Sequence, residues 1–394
     1  MISVNWYQED KLGIQLLASK GISEYGVGNL TRYKIMNFLA SKKQSSMAVV
    51  GALMITLGVE QSAAAATFNP APQFESAVSY STTIPRSDGG VDPADIYYPV
   101  LSSTDPEQSS LPIALFLQGA LVDKSDYSTF ASTVARYGFV VVVPNHIRTA
   151  ISPMGAVTGL LAEQQQVNDV LSYIRNENST PSLPIADLFD PSTLVLLGHS
   201  FGGAVGIAAI QGNCFPVLCT ETFNRPQELK GGAFYGTNFL IGQGSGGLFI
   251  DNDGIPMALV QGNLDGVAMP LNAELTYAAI QDPPKAFISI PGANHYGITN
   301  EDNLIRDPIR PTLEQDVAIE TIARWSALFL RGTALNDKGA FDYVFNTGDA
   351  LDENVSVESV AKPIPEYTSV VSLLGLGVMG ASSLLTRQQK LVKK

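Results

Sequence analysis

Residues 194–212, LVLLGHSFGGAVGIAAIQG, restrict the fold more than any other stretch of the chain. An apolar run ends at Gly198, the polar Ser200 follows, and Gly202 opens a segment of small and apolar residues. A strand that turns sharply into a helix, with G-x-S-x-G across the turn, holds a serine hydroxyl above a sheet on a strained backbone. Side chains at 198 and 202 would collide in such a turn, so both positions require glycine. The N–H groups that open the helix point at the serine and favour negative charge developing there. The five-residue pattern alone is common. The apolar strand before it and the small-residue helix after it are what make it a nucleophile elbow.

The surrounding pattern fits a sheet that can carry such an elbow. Strand-like runs occur at 75–84, 94–100, 113–118, 139–144, 193–198, 232–236, 257–262 and 286–291. Several are apolar throughout, as parallel strands covered on both faces require. Helical patterns lie between or after them at 126–138, 160–178, 202–212, 270–281 and 312–332. In the second helical pattern Leu161, Val167, Val170, Leu171 and Ile174 share a face, with Glu163 and Gln164 near its start. This alternation predicts one α/β domain over 67–350, with a mostly parallel central sheet and helices on both faces.

A serine hydroxyl is inert until a base takes its proton, and histidine is the usual base. The chain has three histidines. His199 lies inside the elbow and points away from Ser200. His146 precedes Ser200 and reads as a loop histidine satisfied by its neighbours. His295, in ISIPGANHYG, follows the strand pattern at 286–291 and is the expected base. The orienting carboxylate should end a strand between Ser200 and His295, and Asp265 in MALVQGNLDG does so. Asp251 and Asp253 precede that strand and fall at the wrong end of the sheet. One oxyanion donor is the N–H of Phe201, and the loop after 113–118 offers Gly119 and Ala120 for the second.

With these residues in place, the segment from about 110 to 335 resembles the α/β-hydrolase superfamily. LFLQGALVDKSDYSTFASTVARYGFVVVVP is similar to chlorophyllases, and GHSFGG looks like the elbow of platelet-activating-factor acetylhydrolases. GNLDGVAMP and PGANHYG look like the acid and base loops of cutinase-like polyester hydrolases. The resemblance implies the α/β-hydrolase fold, Ser200 as nucleophile, Asp265 as acid, His295 as base, and Phe201 and Ala120 as oxyanion donors. Gln118 stands where these families often have histidine, and Phe201 where chlorophyllases usually have arginine. The expected activity is a serine carboxylester hydrolase acting on an apolar, lipid-like or chlorophyllase-like ester, with no metal or cofactor. The segments TNFLIGQGSGGLFI and IRTAISPMGAVTGLL would line its substrate pocket or serve as surface loops. A catalytically silent surface-binding protein of the same fold, or a peptidase using the same triad, are the alternatives.

The ends of the chain read differently. Over 1–66, the basic stretch RYKIMNFLASKKQSS, the apolar run MAVVGALMITLGV and the small residues of EQSAAAA form the pattern of a secretory signal, about 36–66. The residues before it point to a start at either Met1 or Met36. Residues 351–364 read as a linker. At 365–394, an apolar run from Thr368 to Leu385 is followed by Arg387, Lys390, Lys393 and Lys394. This tail resembles PEP-CTERM sorting signals, with Tyr367 in place of the motif's second proline, and would anchor the chain in a membrane. The expected location is therefore the cell envelope, periplasm or exterior. Between 67 and 364, acidic residues outnumber basic ones by 32 to 14. Such a surface repels phosphate backbones, so no nucleic-acid partner is expected. The only cysteines, Cys214 and Cys219, form no metal-ligand pattern and read as a local disulfide.

Overall fold

The computed structural model describes residues 68–361 apart from 102–109, 153–154, 179–187, 221 and 241–248. The signal and sorting-tail segments lie outside the described residues, as does most of the glycine-rich stretch of TNFLIGQGSGGLFI. Among the described residues no helix is long and apolar enough to cross a membrane.

Nine strands form one sheet in the order β1-β2-β4-β3-β7-β8-β9-β10-β11. These are β1 (Ala77–Pro85), β2 (Val91–Pro99), β3 (Leu111–Leu117), β4 (Val140–Pro144), β7 (Phe189–His199), β8 (Leu229–Tyr235), β9 (Met257–Gly262), β10 (Lys285–Ile290) and β11 (Ser356–Val360). Strands β3, β4 and β7 to β10 run parallel, and β1, β2 and β11 add antiparallel edges. The parallel strands are buried because side chains of alternate residues enter two separate cores. Ile113, Leu115, Leu194 and Leu196 enter one; Ala114, Phe116, Val195 and Leu197 enter the other. Helices α1 (Ser128–Arg136) and α5 (Gln315–Ala334) cover the second core. The first is covered by α2 (Gln166–Asn178), α3 (Phe201–Gln211) and α4 (Pro270–Ala279). Trp325, Phe130 and Phe139 are buried almost completely, and truncating any one of them to alanine costs about 3–5 kcal/mol.

The sequence reading of the sheet and the main helices agrees with this architecture, and three local expectations change. Residues 351–361 are not a linker. Ser356–Val360 pairs with β10 from Lys285↔Val360 to Ser289↔Ser356, so the domain continues past 350. The strand alternates exposed and half-buried positions, as suits an edge, and so lacks the apolar run that marks inner strands. The second change is that α2 begins at Gln166, so Glu163 and Gln164 sit in a buried turn before it. The third is that IRTAISPMGAVTGLL forms an antiparallel hairpin, β5 (Ile147–Ser152) and β6 (Gly155–Leu160). Its outer part is exposed rather than lining a closed pocket.

His146 is fully buried where β4 runs into this hairpin. Its Nδ1 hydrogen-bonds Asp92 Oδ2 at 2.7 Å, and its Nε2 faces Glu163 Oε1 at 3.2 Å as an ion-pair contact. Burial opposes its charge, but the two carboxylates outweigh burial and raise its pKa above the ordinary value. Arg148 from β5 crosses the same cluster and donates to the carbonyls of Leu161, Ala162 and Val217. Val217 belongs to the loop closed by the Cys214–Cys219 disulfide. The hairpin root is thus tied to β2, to the turn before α2 and to the disulfide loop.

Asp352, inside the expected linker, accepts from Trp325 Nε1 at 2.7 Å and Arg324 Nη1 at 2.6 Å. Burial raises its pKa, but these two partners prevail and hold it below the ordinary 3.8. Its stabilisation is therefore present above the unfolded-state pKa and lost as the pH falls through the depressed folded value. Asp352→Ala should cost about 2–3 kcal/mol at pH 7, read by urea denaturation. The gap to wild type should narrow as both are acidified below pH 4, where the carboxylate of the wild type also discharges.

Candidate active site

The carboxyl ends of the parallel strands bring Ser200, Asp265 and His295 together. Ser200 sits between β7 and α3 with φ +52°, a backbone conformation rare for a residue with a side chain. Its N–H donates to Tyr235 O, and its carbonyl accepts from Thr237 Oγ1, so both sides of the strained peptide are held by β8 and the residues after it. Glycine at 198 and 202 is sterically required. A Cβ at Gly202 would lie 2.1 Å from Leu117 O, and one at Gly198 would lie 2.9 Å from the Gly202 carbonyl oxygen.

The Ser200 hydroxyl donates to His295 Nε2 at 2.9 Å, and His295 Nδ1–H donates to Asp265 Oδ2 at 2.8 Å. Asp265 is buried in the loop after β9, where its other oxygen accepts from the N–H groups of Val267 and Ala268. Gln261 donates to Oδ2 as well. These bonds keep the carboxylate aimed at the imidazole and fix the tautomer that leaves Nε2 free to accept. Asp253, excluded on the sequence, pairs with Arg225 instead.

The turn expected to offer an oxyanion donor follows β3. The N–H of Gly119 donates to Tyr127 Oη, so of its two candidate donors only the Ala120 N–H is left free. Among the described residues the N–H groups of Ala120 and Phe201 have no hydrogen-bond partner. Tyr127 in turn donates to Nδ1 of His199 at 3.0 Å, and His199 Nε2–H donates to the carbonyl of His295 at 3.0 Å. A single chain of hydrogen bonds therefore runs from Gly119 through Tyr127 and His199 to His295. His199 is completely buried, and that burial lowers its pKa far below the ordinary 6.5. It remains neutral and keeps the tautomer the chain needs.

Three residues in contact with this site are not marked by any sequence pattern. Tyr127 looks like an ordinary apolar-face residue ahead of α1. Arg306 and Asp307 lie in the loop after His295, where the sequence shows only turn-forming residues. Asp307 is fully buried and accepts from the N–H groups of His295 at 2.9 Å and Gly266 at 3.3 Å. The expected pocket segments contribute little among the described residues: Phe239 packs in the core against Phe215, and Phe249 is exposed.

The sheet order, the turn at Ser200 and the placement of helices on both faces define the α/β-hydrolase fold. Within that class, the family model for chlorophyllase matches residues 81–218. The match takes in the oxyanion turn and the elbow and ends before the loops of Asp265 and His295. No curated protein matches the chain.

Tyr127→Phe removes the link between Gly119 N–H and His199 Nδ1 and leaves both buried groups unsatisfied. The expected loss is about 1–3 kcal/mol of folding stability by urea denaturation, with circular dichroism unchanged.

Proposed function

We propose that the protein is a serine carboxylester hydrolase working through an acyl-enzyme, with Ser200, His295 and Asp265 as its triad. The observation that carries this reading is the continuous line Ser200 Oγ, His295 Nε2, His295 Nδ1 and Asp265 Oδ2, each step within hydrogen-bond distance. The chlorophyllase match supports ester hydrolysis as the reaction class.

In the first step Ser200 Oγ attacks the ester carbonyl carbon while its proton passes to His295 Nε2. The carbonyl oxygen becomes an oxyanion and accepts from the N–H groups of Phe201 and Ala120. The intermediate collapses, the bond to the alcohol breaks, and His295 returns its proton to the leaving oxygen. Water then attacks the acyl-serine by the same route and releases the acid. Asp265 holds the imidazole and stabilises its charged form throughout. The positive end of α3 faces the same oxygen.

The substrate we propose is an apolar ester, lipid-like or chlorophyllase-like. Phe201 stands where chlorophyllases usually have arginine, and here the guanidinium of Arg148 lies over its ring, 5.9 Å from the centroid. We also propose that the chain is exported, which fits an oxidised Cys214–Cys219 pair. Processing near Ala66 would be read by sequencing the amino terminus of the mature protein.

A fluorophosphonate probe should label the wild type and fail on Ser200→Ala. Asp265→Asn should reduce kcat on a p-nitrophenyl ester by about 10²–10⁴-fold, because the wrong tautomer then faces Ser200. Absence of labelling in folded wild type would overturn the enzyme reading. Across a panel from acetyl to long acyl esters, with chlorophyll included, rates should rise with apolar length. A flat profile would remove the apolar-ester assignment.

A further inference from the structure

The turn that presents Ala120 is strained and thinly supported by its own side chains. Leu121 has φ +59°, the left-handed region that branched and bulky residues avoid at a cost of about 1–2 kcal/mol. Its side chain is 43% exposed, so apolar burial does not hold the turn shut. What does hold it is mostly external. Leu121 N–H donates to Leu160 O at 2.7 Å, Val122 N–H closes the turn onto Gly119 O at 3.2 Å, and the carbonyls of Ala120 and Leu121 are taken by one side chain. Arg306 Nη2 donates to Ala120 O at 2.7 Å, and Nη1 donates to Leu121 O at 3.2 Å.

Arg306 comes from the loop that carries the base, and its guanidinium lies over the ring of Tyr296, the residue after His295, 5.7 Å from the centroid. Among the described residues it has no carboxylate within ion-pair distance, although the chain is acidic. The next residue, Asp307, takes the N–H groups of His295 and Gly266, and the latter adjoins Asp265. The two neighbours therefore grip opposite kinds of group. The cation takes carbonyls of the oxyanion turn, and the anion takes N–H groups of the base and acid loops.

We propose that Arg306 and Asp307 form a clasp that registers the oxyanion turn against the base and acid, with Arg306 the positioning residue for the Ala120 donor. The proposal rests on the esterase reading above. Arg306 touches no reacting atom; it acts by holding the Ala120–Leu121 peptide where the neighbouring N–H can meet the oxyanion. Small errors in that geometry matter because an oxyanion donor is effective only when it is already aimed.

The test is Arg306→Met in the full chain, assayed on a soluble p-nitrophenyl ester beside wild type and Arg306→Lys. The methionine keeps the apolar stem and loses both hydrogen bonds. Expected is a fall in kcat of about 10–100-fold with KM within twofold, and partial recovery in the lysine variant, which can still reach one carbonyl. Affinity for a trifluoromethyl ketone should fall in parallel, because its serine adduct places an oxyanion in the hole. A merely structural role would lower the melting temperature without separating ketone affinity from KM. A methionine variant with wild-type kcat, or one altered only in KM, would overturn the clasp. If Arg306→Met is too unstable to assay, the lysine variant alone decides: full activity and full ketone affinity refute the proposal, and a matched partial loss of both supports it. Wild type without Ser200-dependent hydrolysis would instead bring down the esterase reading itself.

Discussion

The approach of β3 to the elbow is the constraint on which the site depends. The end of β3 passes so close to the first turn of α3 that no side chain fits at 202, where even a methyl group would overlap the Leu117 carbonyl. That contact sets the height of Ser200 above the sheet and the position of the turn at 119–121 beside it. Backbone contact thereby brings Ser200 and the start of this turn together, and the Tyr127 and Arg306 side chains hold the turn from there on. The later strands β9 and β10 then bring Asp265 and His295 to the same end of the sheet, because all of these strands run parallel.

Much of this was legible in the sequence, for an identifiable reason. Apolar strands, the glycines about Ser200 and the strand-end positions of Asp265 and His295 are local patterns, each visible within about ten residues. The edge strand β11 was not visible, because an outer strand needs only alternate half-burial and Ser-Val-Glu-Ser-Val has no apolar run. Hairpin β5–β6 was missed because Arg148 and its buried carbonyl partners hold its root, and those partners lie far apart in sequence. Tyr127, Arg306 and Asp307 were hidden for the same reason. Their importance lies in which backbone groups they meet, and nothing in a turn-rich loop says which groups those are.

Two charged clusters of the fold differ in what satisfies them. Around His146 the ions are sequestered together, Asp92 and Glu163 against one imidazole, where removing a single member would leave an uncompensated charge. Around the triad, Asp307 is satisfied by backbone N–H groups and Arg306 by backbone carbonyls. The first arrangement ties the root of a hairpin to the sheet. The second leaves the immediate surroundings of Ser200 with few side-chain charges that could compete with one developing on a substrate.

His199 stands next to Ser200 in sequence and packs against His295, their tilted rings 4.7 Å apart between centroids. Both of its nitrogens are already occupied, one by the Tyr127 hydroxyl and the other by the His295 carbonyl. Two imidazoles in contact could otherwise exchange roles or divide a proton between them. Here one is wired as a spacer, so in the proposed reaction the proton leaving Ser200 has a single destination.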